Sequence, residues 1–161
     1  MKGYLLDTNI WSNWFEQKPF VVDEIQRLEP NSLICLSVVV WGEAVYGAKL
    51  NVNFSFDKYK EFIHGKKPMT IPVDEAVAEE FGELKAALFE KKSPRNLRTN
   101  VGRQNQLKNP LAAKEMQIQE NDLWLAAQAL AYNLVLITSD RMQTILELAP
   151  KELKHKLWQV K

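Results

Sequence analysis

Four acidic residues lie where apolar segments of this chain begin or end. They are Asp7 in LLDTNI, Glu43 in VVWGEAVYGA, Asp122 in ENDLWLAAQAL and Asp140 in LVLITSD. An ionised carboxylate beside apolar residues costs free energy unless a positive charge compensates it. No Lys or Arg lies within these segments at a spacing that would pair with Asp7, Glu43 or Asp122. A hard cation shared by several carboxylates would compensate them together, which predicts a metal-dependent hydrolase.

The types of residue around these acids indicate which metal to expect. Carboxylate oxygens without an accompanying His or Cys favour Mg²⁺ or Mn²⁺ over zinc. His64 and His155 lie in polar segments away from the acids, and we expect both at the surface. Cys35 lies in the apolar run LICLSVVV, where a small buried strand residue is expected. One cysteine cannot form an internal disulfide, which fits a reducing cytoplasm.

Size and composition predict one globular domain spanning residues 1–161. Of the 161 residues, 46% are hydrophobic and 25% are charged, which is enough for a substantial core and excludes disorder. The net charge is only +1, so any nucleic-acid-binding patch must be local. The start, MKGYLLDTNIW, does not have the pattern of a signal peptide, and no segment approaches the length of a membrane span. A cytoplasmic protein is therefore expected.

Strand and helix patterns alternate along the chain, which predicts an α/β fold with a mostly parallel sheet and helices on both faces. The predicted strands are residues 4–6, 33–38, 69–71, 134–137 and 157–160. Helices are predicted from about residue 9 to 15, and over residues 21–28, 39–50, 57–64, 75–92, 120–132 and 141–148. Ligands of such folds bind beyond the carboxyl ends of the strands. Asp7 and Asp140 lie at these ends, and Glu43 and Asp122 lie in helices near the same edge.

Helix caps and the aromatic residues of the first helix give local expectations. Thr8 or Asn9 is a suitable N-cap for the first helix, and Asp74 is a suitable N-cap for the helix after the third strand. Trp11, Trp14 and Phe15 are spaced to share one helical face, and we expect them to pack into the core.

The four acidic segments together resemble the PIN domain, and most of all the VapC ribonuclease toxins of prokaryotic toxin–antitoxin pairs. DTN after the first strand, the glutamate of WGEAVYGA, NDLWLAAQALAYN and LITSD occur in the order of that family. The resemblance implies a PIN-like three-layer α/β/α fold with a five-stranded sheet. It also implies Asp7, Glu43, Asp122 and Asp140 as catalytic acids that bind Mg²⁺ or Mn²⁺. Asn9, Thr138 and Ser139 match polar positions that orient ligands or water.

A metal site of this kind predicts hydrolysis of phosphodiesters by metal-activated water, and the resemblance implies RNA as the substrate. Water as the nucleophile would leave 5′-phosphate and 3′-hydroxyl ends. The resemblance further implies a cognate antitoxin and permits a homodimer. A rival interpretation is a non-catalytic PIN-like module that binds RNA or protein, although an inactive copy would typically have lost at least one of the four acids.

Some of these assignments have ordinary structural alternatives. Asp7, Asp122 and Asp140 could each serve only as a helix cap, and Glu43 could be a solvated helix residue. Glu120, two residues before Asp122, could take the ligand role instead. Asp122 is favoured because apolar residues flank it.

Residues 93–118 break the alternating pattern and stand where the toxins usually have a short glycine-containing connection. This insertion carries five basic residues and one acid, Glu115. The basic residues are Arg95, Arg98, Arg103, Lys108 and Lys114. One interpretation is a basic arm that binds RNA phosphates. The alternative is a solvated or disordered insertion.

Overall fold

A computed structural model describes residues 2–111, 113–116, 118–148 and 153–159, without the side chains of residues 113 and 114. Five parallel strands form one sheet in the order β3-β2-β1-β4-β5. The strands are β1 (Gly3–Leu6), β2 (Leu33–Ser37), β3 (Met69–Ile71), β4 (Val135–Thr138) and β5 (Lys154–Leu157). The order reverses at β1, which pairs with both β2 and β4. The predicted α/β fold with a parallel sheet is confirmed.

Helices connect the strands, as the alternating pattern predicts. They are α1 (Thr8–Phe15), α2 (Pro19–Gln26), α3 (Val38–Leu50), α4 (Phe56–Lys66), α5 (Glu75–Lys92), α6 (Asn100–Lys108), α7 (Glu120–Ala131) and α8 (Gln143–Leu148). Asp74 is the N-cap of α5, as predicted, because its Oδ1 accepts from Val77 N at 3.0 Å. No helix within the described ranges combines the length and the apolar composition that crossing a membrane requires.

Three predicted helix starts are wrong, and one of them is α2, which begins at Pro19 rather than at residue 21. Asp7, rather than Thr8 or Asn9, is the N-cap of α1, and its Oδ1 accepts from Ile10 N at 2.7 Å. The last helix begins at Gln143 rather than at residue 141, since Met142 has a positive φ of 39° that is incompatible with a regular helix.

The final strand lies earlier than predicted. The strand β5 consists of Lys154–Leu157, whereas the apolar pattern predicted a strand over residues 157–160. Residue 160 of that prediction lies outside the described residues. All four side chains of β5 are exposed. An edge strand with exposed lysines lacks the apolar signal by which strands are predicted, and such charges protect the edge from pairing with other chains.

Two hydrophobic clusters form the core. The first contains Trp11 and Trp14, which are 0% and 7% exposed, with the half-buried Phe15 packed against it. The predicted burial of this aromatic face is therefore confirmed. The second cluster joins α5, α7 and α8 and includes Met116 from the insertion.

The insertion at residues 93–118 is folded where it is described. Short 3₁₀ turns at Arg95–Leu97 and Ala113–Met116 flank α6. Gly102 lies against the first turn so closely that a Cβ atom would collide with the Leu97 carbonyl oxygen. Met116 is 2% exposed and anchors the end of the insertion in the core.

Candidate metal centre

The four acids lie at the carboxyl edge of the sheet, around the strands where the strand order reverses. Asp7 follows β1 and Asp140 lies two residues beyond β4, while Glu43 is in α3 directly after β2. Asp122 is in the first turn of α7. Since β1 lies between β2 and β4, these elements bring residues from across the whole chain to one place.

Asp122 shows that the four carboxyl groups interact. Burial raises its pKa from the ordinary 3.8 to about 6, and nearby negative charges add to the rise. In decreasing order of effect, these charges are Asp140, Asp7 and Glu43. Four acids that repel one another at this edge are costly without a cation.

Asp7 is the most buried of the acids, with 4% of its surface exposed. Besides Ile10 N, its carboxylate accepts from Ser139 N at 3.2 Å, so one side chain caps α1 and connects β1 to the segment after β4. Burial raises the pKa of Asp7, and hydrogen bonds from Thr138, Ile10 and Ser139 partly oppose the rise. The capping role and membership of the acidic site therefore coexist.

Glu43 is held by two side chains adjacent in sequence to other acids. Thr8 Oγ1 donates to Oε2, and Asn121 Nδ2 donates to Oε1 at 2.7 Å. The sequence pattern predicts Thr8 only as a possible helix cap and does not predict Asn121 as a site residue. The one available signal was that Asn121 immediately precedes Asp122.

The structure separates Asp122 from the competing Glu120. Glu120 Oε1 lies 2.5 Å from Lys85 Nζ, so this carboxylate forms a surface ion pair with α5. The N-cap of α7 is Gln119, which makes no side-chain capping hydrogen bond, so Asp122 is not the helix cap. A carboxylate in the first turn still interacts favourably with the positive end of the helix dipole.

Asp140 is oriented by the strand residue before it. Asp140 N donates to Thr138 Oγ1 at 3.0 Å, and Thr138 is 1% exposed. Because α8 begins only at Gln143, Asp140 is not its immediate cap. Ser139 reaches the site through its backbone amide. Asn9 is exposed on α1, and within the described part of the chain none of the acids' hydrogen bonds involves it.

The donor chemistry of this site fits a hard divalent cation. In the described ranges, none of the four acids pairs with Lys or Arg. Nor do three or more His, Cys, Asp or Glu side chains stand close enough in these ranges to hold an ion directly. Mg²⁺ commonly uses one or two carboxylates and completes its shell with water, which suits this looser arrangement. His64, stacked on Trp41, and His155, in β5, are both exposed and outside the site.

Two cavities lie beside the acids. One of about 490 Å³ is lined by Asp122, Asp140 and neighbouring residues of α8. The other, of about 270 Å³, is lined by Glu43, Thr8 and residues of α3 and α4. The acids therefore lie between two spaces that a flexible polymer could occupy.

The basic residues of the insertion divide into two kinds. Arg103 donates to both carboxylate oxygens of Glu90, from Nη1 to Oε1 and from Nη2 to Oε2, the latter at 3.1 Å. Arg98 donates to the carbonyl oxygens of Ser93, at 2.6 Å, and Lys91, at 3.2 Å. Arg95 and Lys108 are exposed. Arg98 and Arg103, two of the predicted phosphate contacts, are therefore already bonded within the protein.

Residues 4–147 match the PIN domain family, and the chain belongs to that family. It is also similar to a protein named Ribonuclease VapC1 from Haemophilus influenzae, with 27% identity over 141 residues that cover 84% of each chain.

Solved structures share the fold. The VapBC-1 structure from nontypeable Haemophilus influenzae gives a TM-score of 0.66 at 22% identity, covering 97% of this chain and 98% of that one. The DNA-bound VapBC structure from Salmonella typhimurium gives a TM-score of 0.67 at 19% identity, covering 98% and 99%.

Proposed function

We propose that this protein is a Mg²⁺- or Mn²⁺-dependent endoribonuclease that hydrolyses RNA phosphodiesters. The observation that carries the proposal is the pKa of Asp122, which burial, together with repulsion from Asp140, Asp7 and Glu43, raises to about 6. In the described ranges, no Lys or Arg pairs with any of these four acids. The ribonuclease name of the VapC1 relative supports RNA as the substrate.

Each acid has a role in this proposal. Asp7, Asp122, Asp140 and Glu43 would hold the cation, at most two of them directly and the others through its water molecules. A bound divalent cation lowers the pKa of a water molecule and stabilises the charge of a phosphodiester under attack. Thr8 and Asn121 fix the direction of the Glu43 carboxylate. The Ser139 amide does the same for the Asp7 carboxylate, and the Thr138 hydroxyl holds the backbone of Asp140.

We further propose that the protein is the toxin of a toxin–antitoxin pair and acts in the cytoplasm. The structures named VapBC are complexes of a toxin–antitoxin family, and their chains share the fold of this protein over almost its entire length. A cognate antitoxin and a homodimer are the partners that this similarity supports.

Metal dependence is tested with purified protein and single-stranded RNA. Cleavage should stop in EDTA and return with Mg²⁺ or Mn²⁺. Asp7→Asn and Asp122→Asn should abolish cleavage, whereas Glu120→Gln should retain it because Glu120 is paired with Lys85 outside the site. Undiminished cleavage in chelator, or in both aspartate variants, would reject the metal-nuclease proposal. A wild type that binds RNA with metal but never cleaves it would favour the non-catalytic module.

The chemistry is tested at the product ends. Attack by water leaves a 5′-phosphate, so the downstream fragments should ligate directly to adaptors that require one. Fragments with 2′,3′-cyclic phosphates would mean that the RNA 2′-hydroxyl was the nucleophile, and the hydrolytic mechanism would be wrong.

A further inference from the structure

The cavity on the Glu43 side of the acids has a composition suited to a flat aromatic ligand. It lies between α1, α3 and α4 and shares Thr8 and Glu43 with the acidic site. The larger cavity is lined by Asp122 and Asp140, and Asp140 follows β4, whereas Glu43 follows β2 on the other side of β1. A nucleic-acid strand whose phosphate is at the acids would therefore have one cavity on each side of that phosphate.

One wall of this smaller cavity is aromatic and firmly supported. The rings of Phe54 and Tyr59 lie 5.4 Å apart, and Phe15 packs edge-on against both, at 6.2 and 5.2 Å. Phe54 is half-buried, so part of its ring remains accessible. Asn51 fixes the loop that carries Phe54, because its Oδ1 accepts from Asn53 N at 3.0 Å. Exposed aromatic faces on a rigid support are what nucleobases stack on.

Tyr59 gives the cavity an unused polar group. The side chain is 1% exposed, and its hydroxyl has no hydrogen-bond partner among the residues that the structure describes. A buried hydroxyl without a partner destabilises a protein, so such groups commonly have a role or a missing partner. Because the hydroxyl can donate and accept, the edge of a nucleobase would satisfy it.

Gly47 keeps the cavity open. A Cβ atom at this position would meet nothing within 4 Å, although the residue lines the cavity in the middle of α3. The volume of about 270 Å³ is below the ~300–1,000 Å³ typical of sites for drug-sized ligands, which suits a single base better than a dinucleotide.

We infer that this cavity receives one nucleobase of the RNA, on a nucleotide next to the scissile phosphate, and so contributes to the choice of cleavage site. The base stacks on Phe54 and hydrogen-bonds with the Tyr59 hydroxyl, while the space beside Gly47 admits it. This inference rests on the proposed ribonuclease activity, since it assigns a specificity site to the same centre.

The test uses a cavity-filling variant and a matched control in the same helix. At both Gly47 and Gly42 a Cβ atom would have no neighbour within 4 Å, but only Gly47 lines the cavity. Gly47→Leu therefore adds a side chain at the cavity, and Gly42→Leu adds the same side chain outside it. Leu has a higher helix propensity than Gly, so both variants should retain the wild-type melting temperature or exceed it. Each is assayed on RNAs in which one nucleotide at a time, on either side of the cleaved bond, is made abasic.

At one flanking position, removing the base should lower kcat/KM of the wild type and of Gly42→Leu on the order of tenfold. Gly47→Leu should have a low kcat/KM on the intact RNA, and removing the base should not lower its kcat/KM further. Tyr59→Phe should fold normally and discriminate less among the four bases at that position. If removing the base lowers kcat/KM of Gly47→Leu as much as it lowers that of the wild type, the inference is overturned, and the cavity does not bind the base.

A second readout is independent of catalysis. RNA carrying 4-thiouridine at the flanking position should photo-crosslink to residues 51–59 in the wild type and Gly42→Leu, but not in Gly47→Leu. A protein that forms this crosslink but never cleaves RNA would disprove the proposed activity and retain the base site. A protein that cleaves RNA but never crosslinks there would disprove the base site and retain the activity.

Discussion

Asn121 donates from Nδ2 to Glu43 Oε1 at 2.7 Å and so joins α7 to α3 across 78 residues of sequence. Thr8 holds the other carboxylate oxygen. Each donor is adjacent in sequence to another acid: Thr8 follows Asp7, and Asn121 precedes Asp122. The orientation of Glu43 is therefore fixed by the same backbone segments that place Asp7 and Asp122.

We predict that Asn121→Ala impairs cleavage more than folding. Loss of an orienting partner of a ligand residue typically costs about 10–100-fold in activity or metal affinity. In Asn121→Ala, the hydrogen bond from Thr8 to Glu43 Oε2 remains, so Glu43 keeps one of its two orienting partners. kcat and the apparent Mg²⁺ affinity measure this effect, and the melting temperature reports on folding. Glu120→Gln, one position earlier in α7, is the control and should match the wild type. Unchanged kcat and Mg²⁺ affinity in Asn121→Ala would mean that Glu43 needs no such orientation.

The contribution of Asp122 and Asp7 to the stability of the metal-free protein should fall as the pH rises from about 4 to about 7. The pKa of Asp122 is raised from 3.8 to about 6 in the folded state, and that of Asp7 is raised too. A raised pKa means that the folded state binds the proton more tightly, so this stabilisation is complete below about pH 4 and lost as the pH passes about 6.

Asp122→Asn isolates this contribution. In EDTA at pH 7.5 the variant should be more stable than the wild type by about 1–2 kcal/mol, after allowance for solvent screening of a partly exposed group. Near pH 4 the two should have the same free energy of unfolding. Urea denaturation across this pH range measures the difference, and a constant difference between the two proteins would contradict the assigned repulsion.

Mg²⁺ should stabilise the wild-type protein against heat, because a ligand that binds only the folded state raises the melting temperature. The stabilisation by Mg²⁺ should be larger at pH 7.5 than at pH 5, because at pH 5 protons compete with Mg²⁺ for Asp122. At a free concentration of 100 times Kd, the expected gain is about 2.7 kcal/mol. Asp122→Asn should lose most of it and Glu120→Gln should keep it. Equal gains in both variants would place the cation elsewhere.

The sequence was enough to predict the first four strands and the edge at which the acids meet. Each of those strands is an apolar run, and Asp7 and Asp140 follow their strands within two residues, so local patterns carried that information. The strand β5 was misplaced because its exposed lysines have no apolar pattern.

The missed features depend on contacts between distant segments. Asn121 has no distinguishing local context, and its role follows only from the approach of α7 to α3. Tyr59 is an ordinary aromatic residue of α4 until folding buries its hydroxyl. The pairing of Arg103 with Glu90 likewise required knowing that α6 folds back along α5.

The pairing of Arg103 with Glu90 means that replacing different basic residues of the insertion should have different effects on stability. Arg98 and Arg103 are bonded within the protein, so Arg98→Ala with Arg103→Ala should lower the melting temperature. Arg95 and Lys108 are exposed, and Arg95→Ala with Lys108→Ala should leave the melting temperature unchanged.

If the exposed pair contacts phosphates, the second double variant should bind RNA more weakly, whatever the sequence. The slope of log affinity against log salt should fall by up to ~1.4, at ~0.7 per single-strand contact. Catalysis on a short RNA at saturation should survive, because these residues would bind and not react. Fluorescence anisotropy over a salt series, with the Arg98/Arg103 variant measured in parallel, separates binding from folding. Wild-type affinity and salt slope in the Arg95/Lys108 variant would remove the insertion from the RNA-binding surface.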